Sequence, residues 1–232
     1  QDDLPWFGDT EFGYLMSAFS AGYLLFQVPG GWMGQRFGTR IVAPCLSVIW
    51  SVFTVVTAMV STLWAMIVSR FAFGLAQGGL IPNLSKVVKD WFPGSIRGRV
   101  SSVVAGSMSL GGACTMMVTG VLLVHFHWRA IFIGYSAVGI IWAAVFYWYF
   151  RTRPEEHAKV NEAELELVRG EDETTEEDEA QKMSWAAAFR SLNAWMLCGQ
   201  LFFKAAGYLF FVTFFTSFLQ HVHVHRCDVK WR

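Results

Sequence analysis

The sequence predicts an all-α, polytopic membrane protein with about six transmembrane helices. Of its 232 residues, 54% are hydrophobic and only 16% are charged, whereas soluble domains carry about 25% charge. Three long runs contain no formally charged residue, namely Ile41–Ser69, Val100–Trp128 and Ala130–Phe150. About 20 apolar residues cross a bilayer core as a helix, and these runs lack the short, alternating pattern of barrel strands. A soluble enzyme and a nucleic-acid-binding domain are therefore excluded.

Mostly apolar segments mark the individual helices in chain order. The predicted spans are Glu11–Gly31, Ile41–Val60, Leu63–Ser85, Arg99–Val124, Ala130–Phe150 and Leu192–Gln220. Around them we expect an external segment at residues 1–10, a cytoplasmic linker at residues 151–191 and an atypical tail at residues 221–232. Small residues recur at every fourth position, as at Gly30 and Gly34 or at Gly74 and Gly78. Such rows predict close packing of helices in lipid.

The loops differ in their content of Lys and Arg, and this difference predicts the orientation. Eight of these residues fall on one side of the predicted spans, and Arg129 stands alone on the other. Because cytoplasmic loops are enriched in Lys and Arg, the basic side should be cytoplasmic in a cell membrane, with residues 1–10 outside. The linker carries 12 of the 18 acidic residues between Glu155 and Glu179. This composition is typical of a solvated linker rather than of a calcium loop.

No motif indicates a cofactor, a metal site or catalysis. The four cysteines have neither zinc-site spacing nor the density of a disulfide scaffold, and no Gly-x-x-x-x-Gly-Lys-[Ser/Thr] loop for ATP occurs. The alternating histidines of the tail, His221, His223 and His225, form no evident closed ligand set. An enzyme embedded in the membrane would need nucleophiles, metal ligands or paired carboxylates within the spans, and these are not evident. We expect no enzyme activity.

Several spaced motifs resemble those of a transporter family. Residues 29–40 read Pro-Gly-Gly-Trp-Met-Gly-Gln-Arg-Phe-Gly-Thr-Arg and resemble the loop signature between the second and third helices of the major facilitator superfamily. Other stretches resemble its anion:cation symporter branch, which includes importers of organic and sugar acids and carriers of phosphate, sialic acid and vesicular glutamate. These stretches are residues 70–79 with Pro82, residues 91–93, residues 97–99, Trp128-Arg129 with Phe132, and residues 151–157.

The resemblance implies a partial transporter fold and a transport function. The family has twelve helices in two halves, of which this chain would hold the second to the seventh, so that it would be a fragment. The implied function is secondary transport of a small organic anion (a sugar acid, a carboxylate or a sugar phosphate) by alternating access, with a site near the membrane midplane. The expected partners are this anion, membrane lipid and a coupling ion. A non-transporting anion receptor, or an inactive fragment that retains the fold, stays open as the alternative.

Two cations within predicted spans are the first candidates for substrate binding. A lone cation in a span is costly and usually faces a bundle interior or a water-filled cavity. Arg70 matches an arginine of the family's fourth helix that is associated with the anionic substrate. Lys204 lies in the seventh helix, where vesicular glutamate carriers have arginine. A guanidinium can bind both oxygens of a carboxylate. The alternative for both residues is that they extend to the membrane interface.

Two amides are further candidates for substrate binding. Gln77 follows Arg70 by about two turns, so both lie on nearly the same helix face. Proton-coupled relatives carry glutamate at this position, and because glutamine cannot titrate, proton coupling through Gln77 is excluded. We expect Gln77 and Asn83 to contact the substrate, with hydrogen bonding between helices as the alternative.

The loop signature supplies the residues predicted to act in gating, Gly31, Gln35, Arg36, Gly38 and Arg40. Glycine suits a tight turn between two helices, and the arginines can pair with acidic groups or with helix C-termini. In the family an acidic residue normally precedes the first arginine and helps to connect the two halves. Gln35 takes its place here and should weaken that connection. The alternative is that Arg36 and Arg40 only set the orientation of the chain.

Overall fold

The computed structural model describes residues 8–152, 190–193 and 195–207. The chain divides into two compact units, residues 1–175 and residues 176–232. Three segments lie outside the described residues: the first seven residues, most of the predicted acidic linker and the whole predicted tail. In the part of the chain that is described, all regular structure is helical, which confirms the predicted fold class.

Six helices make up the described part of the first unit. They are α1 (Asp9–Phe37), α2 (Thr39–Met59), α3 (Leu63–Gly78), α4 (Leu80–Trp91), α5 (Gly94–His125) and α6 (Trp128–Tyr149). Helices α3 and α4 correspond to one predicted span, interrupted at Gly79 by a single turn residue. The predicted bounds agree to within a few residues, except that α1 continues past Gly31 to Phe37 and the third span continues past Ser85 to Trp91.

Four of the described helical segments are long and apolar enough to cross a membrane. They are Thr39–Met59, Leu63–Trp91, Gly94–His125 and Trp128–Tyr149, so the chain is a multi-pass membrane protein. Helix α1 has 29 residues, which is long enough for a crossing, but it is less apolar than these four. Its crossing stays a prediction. The predicted sixth span is described only at residues 192–193 and 195–207, and its crossing also stays a prediction.

Glycines bring α1 and α3 into direct backbone contact. A Cβ added at Gly22 would overlap the carbonyl oxygen of Phe71, and one added at Gly74 would overlap that of Phe19. A Cβ at Gly78 would likewise overlap the backbone of Tyr23. The close packing predicted from the small residues of α3 is therefore confirmed, and any larger residue at these positions would push the two helices apart.

Gly38 alone connects α1 to α2. Its φ is 83°, the only positive φ among the described residues, and glycine adopts this region without a steric cost. An added Cβ would also lie 2.8 Å from the Oγ1 of Thr152. The segment that resembles the loop signature, residues 29–40, is thus helical up to Phe37. The predicted first span, Glu11–Gly31, already included Pro29, and only its end was wrong, because α1 continues to Phe37.

Two arginines join α2 and α6 reciprocally at their ends. Arg40, in the first turn of α2, donates from Nε to the carbonyl oxygen of Tyr147 in the last turn of α6, at 3.2 Å. Arg129, in the first turn of α6, donates from Nη1 to the carbonyl oxygen of Ala58 in the last turn of α2, at 3.1 Å. A cation at a helix C-terminus is electrostatically favourable. Each helix thus supplies the cation for the other helix's C-terminus.

Buried hydroxyl groups connect the same two helices between these arginines. Ser47 donates to the carbonyl oxygen of Gly139 at 3.1 Å, and Ser136 donates to that of Ser51 at 2.9 Å. Ser47 and Ser136 are almost fully buried. Because a buried hydroxyl group needs a partner, these bonds fix the register of α2 against α6.

Candidate functional site

A cavity of about 260 Å³ lies among four helices, toward the end of the bundle where α1 and α6 begin. Most of the side chains that line it are apolar or aromatic. Arg70 is the one lining residue with a formal charge, and Thr57 adds a hydroxyl group. The full lining is Phe12, Leu15, Met16, Thr57, Met66, Arg70, Trp128 and Phe132. An apolar cavity with few polar groups is typical of small-molecule sites.

Helix geometry explains why Arg70 faces the bundle interior. The α1-facing side of α3 carries Gly74 and Gly78. The α2-facing side carries Ser69, whose hydroxyl lies 2.8 Å from the Thr57 hydroxyl and donates to the backbone of α2. At about 100° per residue, Arg70 lies between these two sides.

The Arg70 guanidinium has aromatic neighbours but no anionic one among the described residues. Its Cζ lies 5.9 Å from the ring centroid of Phe73 and 5.7 Å from that of Phe132. Its Nε is buried and has no hydrogen-bond acceptor in the described part of the chain. An ion pair on α4 joins Lys86 and Asp90 and does not involve Arg70. Arg70 thus retains a donor for which the described chain supplies no acceptor.

The predicted substrate residues Gln77 and Lys204 lie in different units of the chain. Gln77 lies two turns beyond Arg70 on nearly the same face of α3 and is half-buried, but it does not line the cavity. Lys204 belongs to the second unit, where it lies in the helical residues 195–207 with an exposed side chain. Of the predicted substrate residues in the first unit, Arg70 alone lines the cavity.

Asn83 connects two helices through its amide nitrogen. Its Nδ2 donates to the carbonyl oxygens of Gly79 at 2.7 Å and of Gly30 at 2.9 Å, and only 1% of the residue is exposed. Its Oδ1 lies so close to Gly34 that an added Cβ there would overlap it. These contacts favour the interhelical alternative, while substrate contact by Asn83 stays a prediction.

The residues of the predicted gating motif lie at the opposite end of the bundle from the cavity. Gly31 packs against Pro82, which an added Cβ would approach to 3.0 Å. Gln35 and Arg36 are exposed, and the Arg36 guanidinium lies 5.1 Å from the ring centroid of Trp32. The pairing of Arg40 with a helix C-terminus agrees with one of the two roles expected for these arginines. A gating role stays a prediction.

The two aromatic neighbours of Arg70, Phe73 and Phe132, were not predicted from the sequence as site residues. Phe73 follows Arg70 by three positions, which is a signal for contact on a helix. Phe132 lies on another helix, far along the chain, and was noted only as part of a family pattern. Within the described residues no group of three or more His, Cys, Asp or Glu could bind a metal ion.

Comparison with known proteins identifies similar transporters. The family profile described as Major Facilitator Superfamily matches residues 7–226. The Cupriavidus necator protein named "Probable sulfoacetate transporter SauU" is 33% identical over 159 residues, which are 68% of this chain and 37% of that protein. The hexuronate transporter of Bacillus subtilis is 31% identical over the same shares. The chain thus spans less than half the length of these relatives.

A solved structure supports the fold. A bacterial homologue of the human lysosomal transporter Spinster, in an inward-facing and unoccupied conformation, superposes with a TM-score of 0.52. The sequences are 18% identical, and the match covers 79% of this chain and 44% of the other. At this identity the likeness is one of fold.

Proposed function

We propose, since this chain belongs to the Major Facilitator Superfamily, that it is part of a secondary transporter that moves a small organic anion across a membrane by alternating access. The chain would supply the second to the seventh of twelve helices. The substrate would be a sugar acid, another carboxylate or a sugar phosphate. Alternating access would require the helices beyond this chain, because the site of such transporters lies between two halves.

The observation that carries this proposal is the buried Nε of the Arg70 guanidinium, which has no acceptor among the described residues. A buried donor without an acceptor costs about 1–3 kcal/mol, and more when it is charged. An anionic ligand in the cavity would supply both the acceptor and the countercharge. A guanidinium also presents a planar set of donors that fits a carboxylate or phosphate. Arg70 therefore suits an anion better than a neutral ligand.

The names of the relatives support the same class of substrate. One is named for sulfoacetate and another for hexuronate, and both compounds carry a carboxylate. Neither name implies catalysis. We infer that a carboxylate is the group that Arg70 would bind, with the rest of the substrate lying against the apolar and aromatic walls of the cavity.

The distribution of Lys and Arg among the loops supports an outward-facing position of the cavity. If the loops rich in Lys and Arg are cytoplasmic, the beginning of α1 faces outward and the acidic linker faces inward. The cavity then lies in the outer half of the membrane. In this orientation Arg70 would meet the substrate as it enters from outside a cell membrane.

The coupling mechanism would not use a proton at Gln77, since its amide does not titrate. Gln77 lies on the face of α3 that carries Arg70, so it could extend the polar surface toward the other end of the bundle. A coupling ion, if it is required, would bind elsewhere. We keep Gln77 and Lys204 as candidate substrate contacts in the full-length protein.

Uptake into proteoliposomes containing the full-length protein tests the proposal. The probes are labelled D-glucuronate, sulfoacetate and inorganic phosphate, measured at several external pH values. Saturable uptake of one probe is expected, together with a loss of at least about tenfold in Arg70→Gln. The matched control is Arg99→Gln, which removes an exposed cation outside the cavity. Binding of a probe without any flux would instead favour an anion receptor. If Arg70→Gln takes up the probe as fast as Arg99→Gln and the wild type, Arg70 does not belong to the site.

A further inference from the structure

Two aromatic rings from different helices flank the Arg70 guanidinium. Phe73 belongs to α3 itself, and Phe132 belongs to α6. Both ring centroids lie within 6 Å of the Arg70 Cζ, at 5.9 Å and 5.7 Å. This is the distance range of favourable cation–π contacts. We refer to Phe73 and Phe132 as the aromatic clamp.

Each ring of the aromatic clamp has an aromatic neighbour of its own. The Phe73 ring lies 5.8 Å from that of Phe19 on α1. The Phe132 ring meets Trp128 edge-on at 5.7 Å, one turn earlier on α6. Aromatic pairs at such distances are attractive beyond their buried area. The positions of both clamp residues are therefore determined by α1 and α6 as well as by Arg70.

A cation–π contact stabilises a guanidinium without using its N–H donors. Since the ring interacts with the positive charge, the hydrogen-bonding edge stays available to an acceptor. Without such contacts, a long cationic side chain tends to extend toward water at the membrane interface. The clamp thus offers a physical reason why Arg70 stays in a cavity with mostly apolar walls.

We propose that Phe132 is a positioning residue for anion binding: together with Phe73, it keeps the Arg70 guanidinium in the cavity with its donors free for the substrate. This proposal rests on the proposed function. It assigns to α6 a part in substrate affinity, although Arg70 lies on α3. It also makes the aromatic face of Phe132, rather than its volume, the property that matters.

Uptake kinetics of three variants in the full-length protein test this role, with D-glucuronate, sulfoacetate and phosphate as probes. Phe132→Leu keeps an apolar side chain but removes the ring, and its KM should rise roughly three- to thirtyfold with kcat nearly unchanged. Phe132→Tyr keeps the ring and should restore the KM. Phe146→Leu is the matched control, because Phe146 lies on α6 but stacks with Phe150. An unchanged KM in Phe132→Leu, or an equal loss in Phe132→Tyr, would overturn the proposal.

Thermal unfolding without substrate gives an independent test of the contact. A double-mutant cycle compares wild type, Phe132→Leu, Arg70→Met and the double variant, and coupled residues give non-additive shifts. Additive shifts in Tm would contradict the clamp. If Phe132→Leu does not accumulate, Phe132→Met replaces it in both tests. When the wild type transports none of the probes, the proposed function fails, yet this cycle still decides whether Phe132 contacts Arg70.

Discussion

The amide nitrogen of Asn83 lies 2.9 Å from the carbonyl oxygen of Gly30 and joins α4 to α1 by a buried hydrogen bond. The same nitrogen donates to Gly79, the residue at which α3 gives way to α4. One side chain thus stabilises both the break in this span and its contact with the neighbouring helix. The position of α4 relative to α1 depends on Asn83.

Replacing Asn83 by alanine should lower the free energy of unfolding by about 1–3 kcal/mol, since the buried carbonyl oxygen of Gly30 loses its donor. Thermal unfolding of the purified protein measures this effect, with the exposed Asn193→Ala as control. Uptake by the surviving protein separates the two roles considered for Asn83. An unchanged KM is expected from an interhelical role, and a large rise in KM at unchanged stability would show substrate contact instead.

Replacing Gly74 by alanine should destabilise the protein by about 1–3 kcal/mol, because the new methyl group overlaps the backbone of Phe19 and the helices must separate. The matched control is Gly106→Ala on α5, where an added Cβ meets nothing within 4 Å. That control should be neutral or slightly stabilising, since alanine is the better helix former. Thermal unfolding of both variants provides the comparison, and equal Tm values would argue against the close α1–α3 packing.

Replacing Gly38 by alanine should cost about 1–2 kcal/mol, since L-residues are strained at positive φ, and the Thr152 side chain must also move. Adding Thr152→Ala removes the second contribution alone and should restore part of the lost stability. Both effects are measured as shifts in Tm. Full restoration by Thr152→Ala would mean that the positive φ of Gly38 contributes little.

Replacing Gln77 by glutamate should make uptake depend on pH, because a carboxylate can exchange a proton where an amide cannot. Gln77 lies on nearly the same face of α3 as Arg70, which supports this expectation. The measurement is initial uptake of the transported probe between about pH 5 and pH 8, with the wild type as reference. A flat profile in an active variant would count against this position.

Most helices of this chain could be predicted from sequence because they depend on a local property, a long and mostly apolar run. The turn at Gly38 was also foreseeable, since glycine supplies the required backbone geometry. The break at Gly79 was not, because Gly74 and Gly78 within α3 look the same in sequence, and the contacts of Gly79 with Gly30 exist only in the packed bundle. The continuation of α1 beyond Gly31 was missed for a similar reason, since the packing of Gly31 against Pro82 and of Gly34 against Asn83 exists only after the helices have assembled.

The site was predictable to the extent that it depends on burial of charge. Arg70 stood out because a cation inside an apolar run is unusual. Its neighbour Phe132 could not be assigned, since their contact exists only after α3 and α6 have packed. Asn83 was placed among substrate contacts because a polar residue in a span suits either role, and the choice depends on whether a backbone carbonyl lies within reach.

The reciprocal arginines of α2 and α6 have a mechanical consequence. Because Arg40 and Arg129 bridge the two helices at opposite ends, a slide of either helix along its axis by one residue, about 1.5 Å, would strain both bridges together. The two arginines therefore oppose sliding of α2 along α6. In any rearrangement of this bundle, α2 and α6 should therefore move together as one rigid body. Bending should occur in segments that no such pair of hydrogen bonds connects.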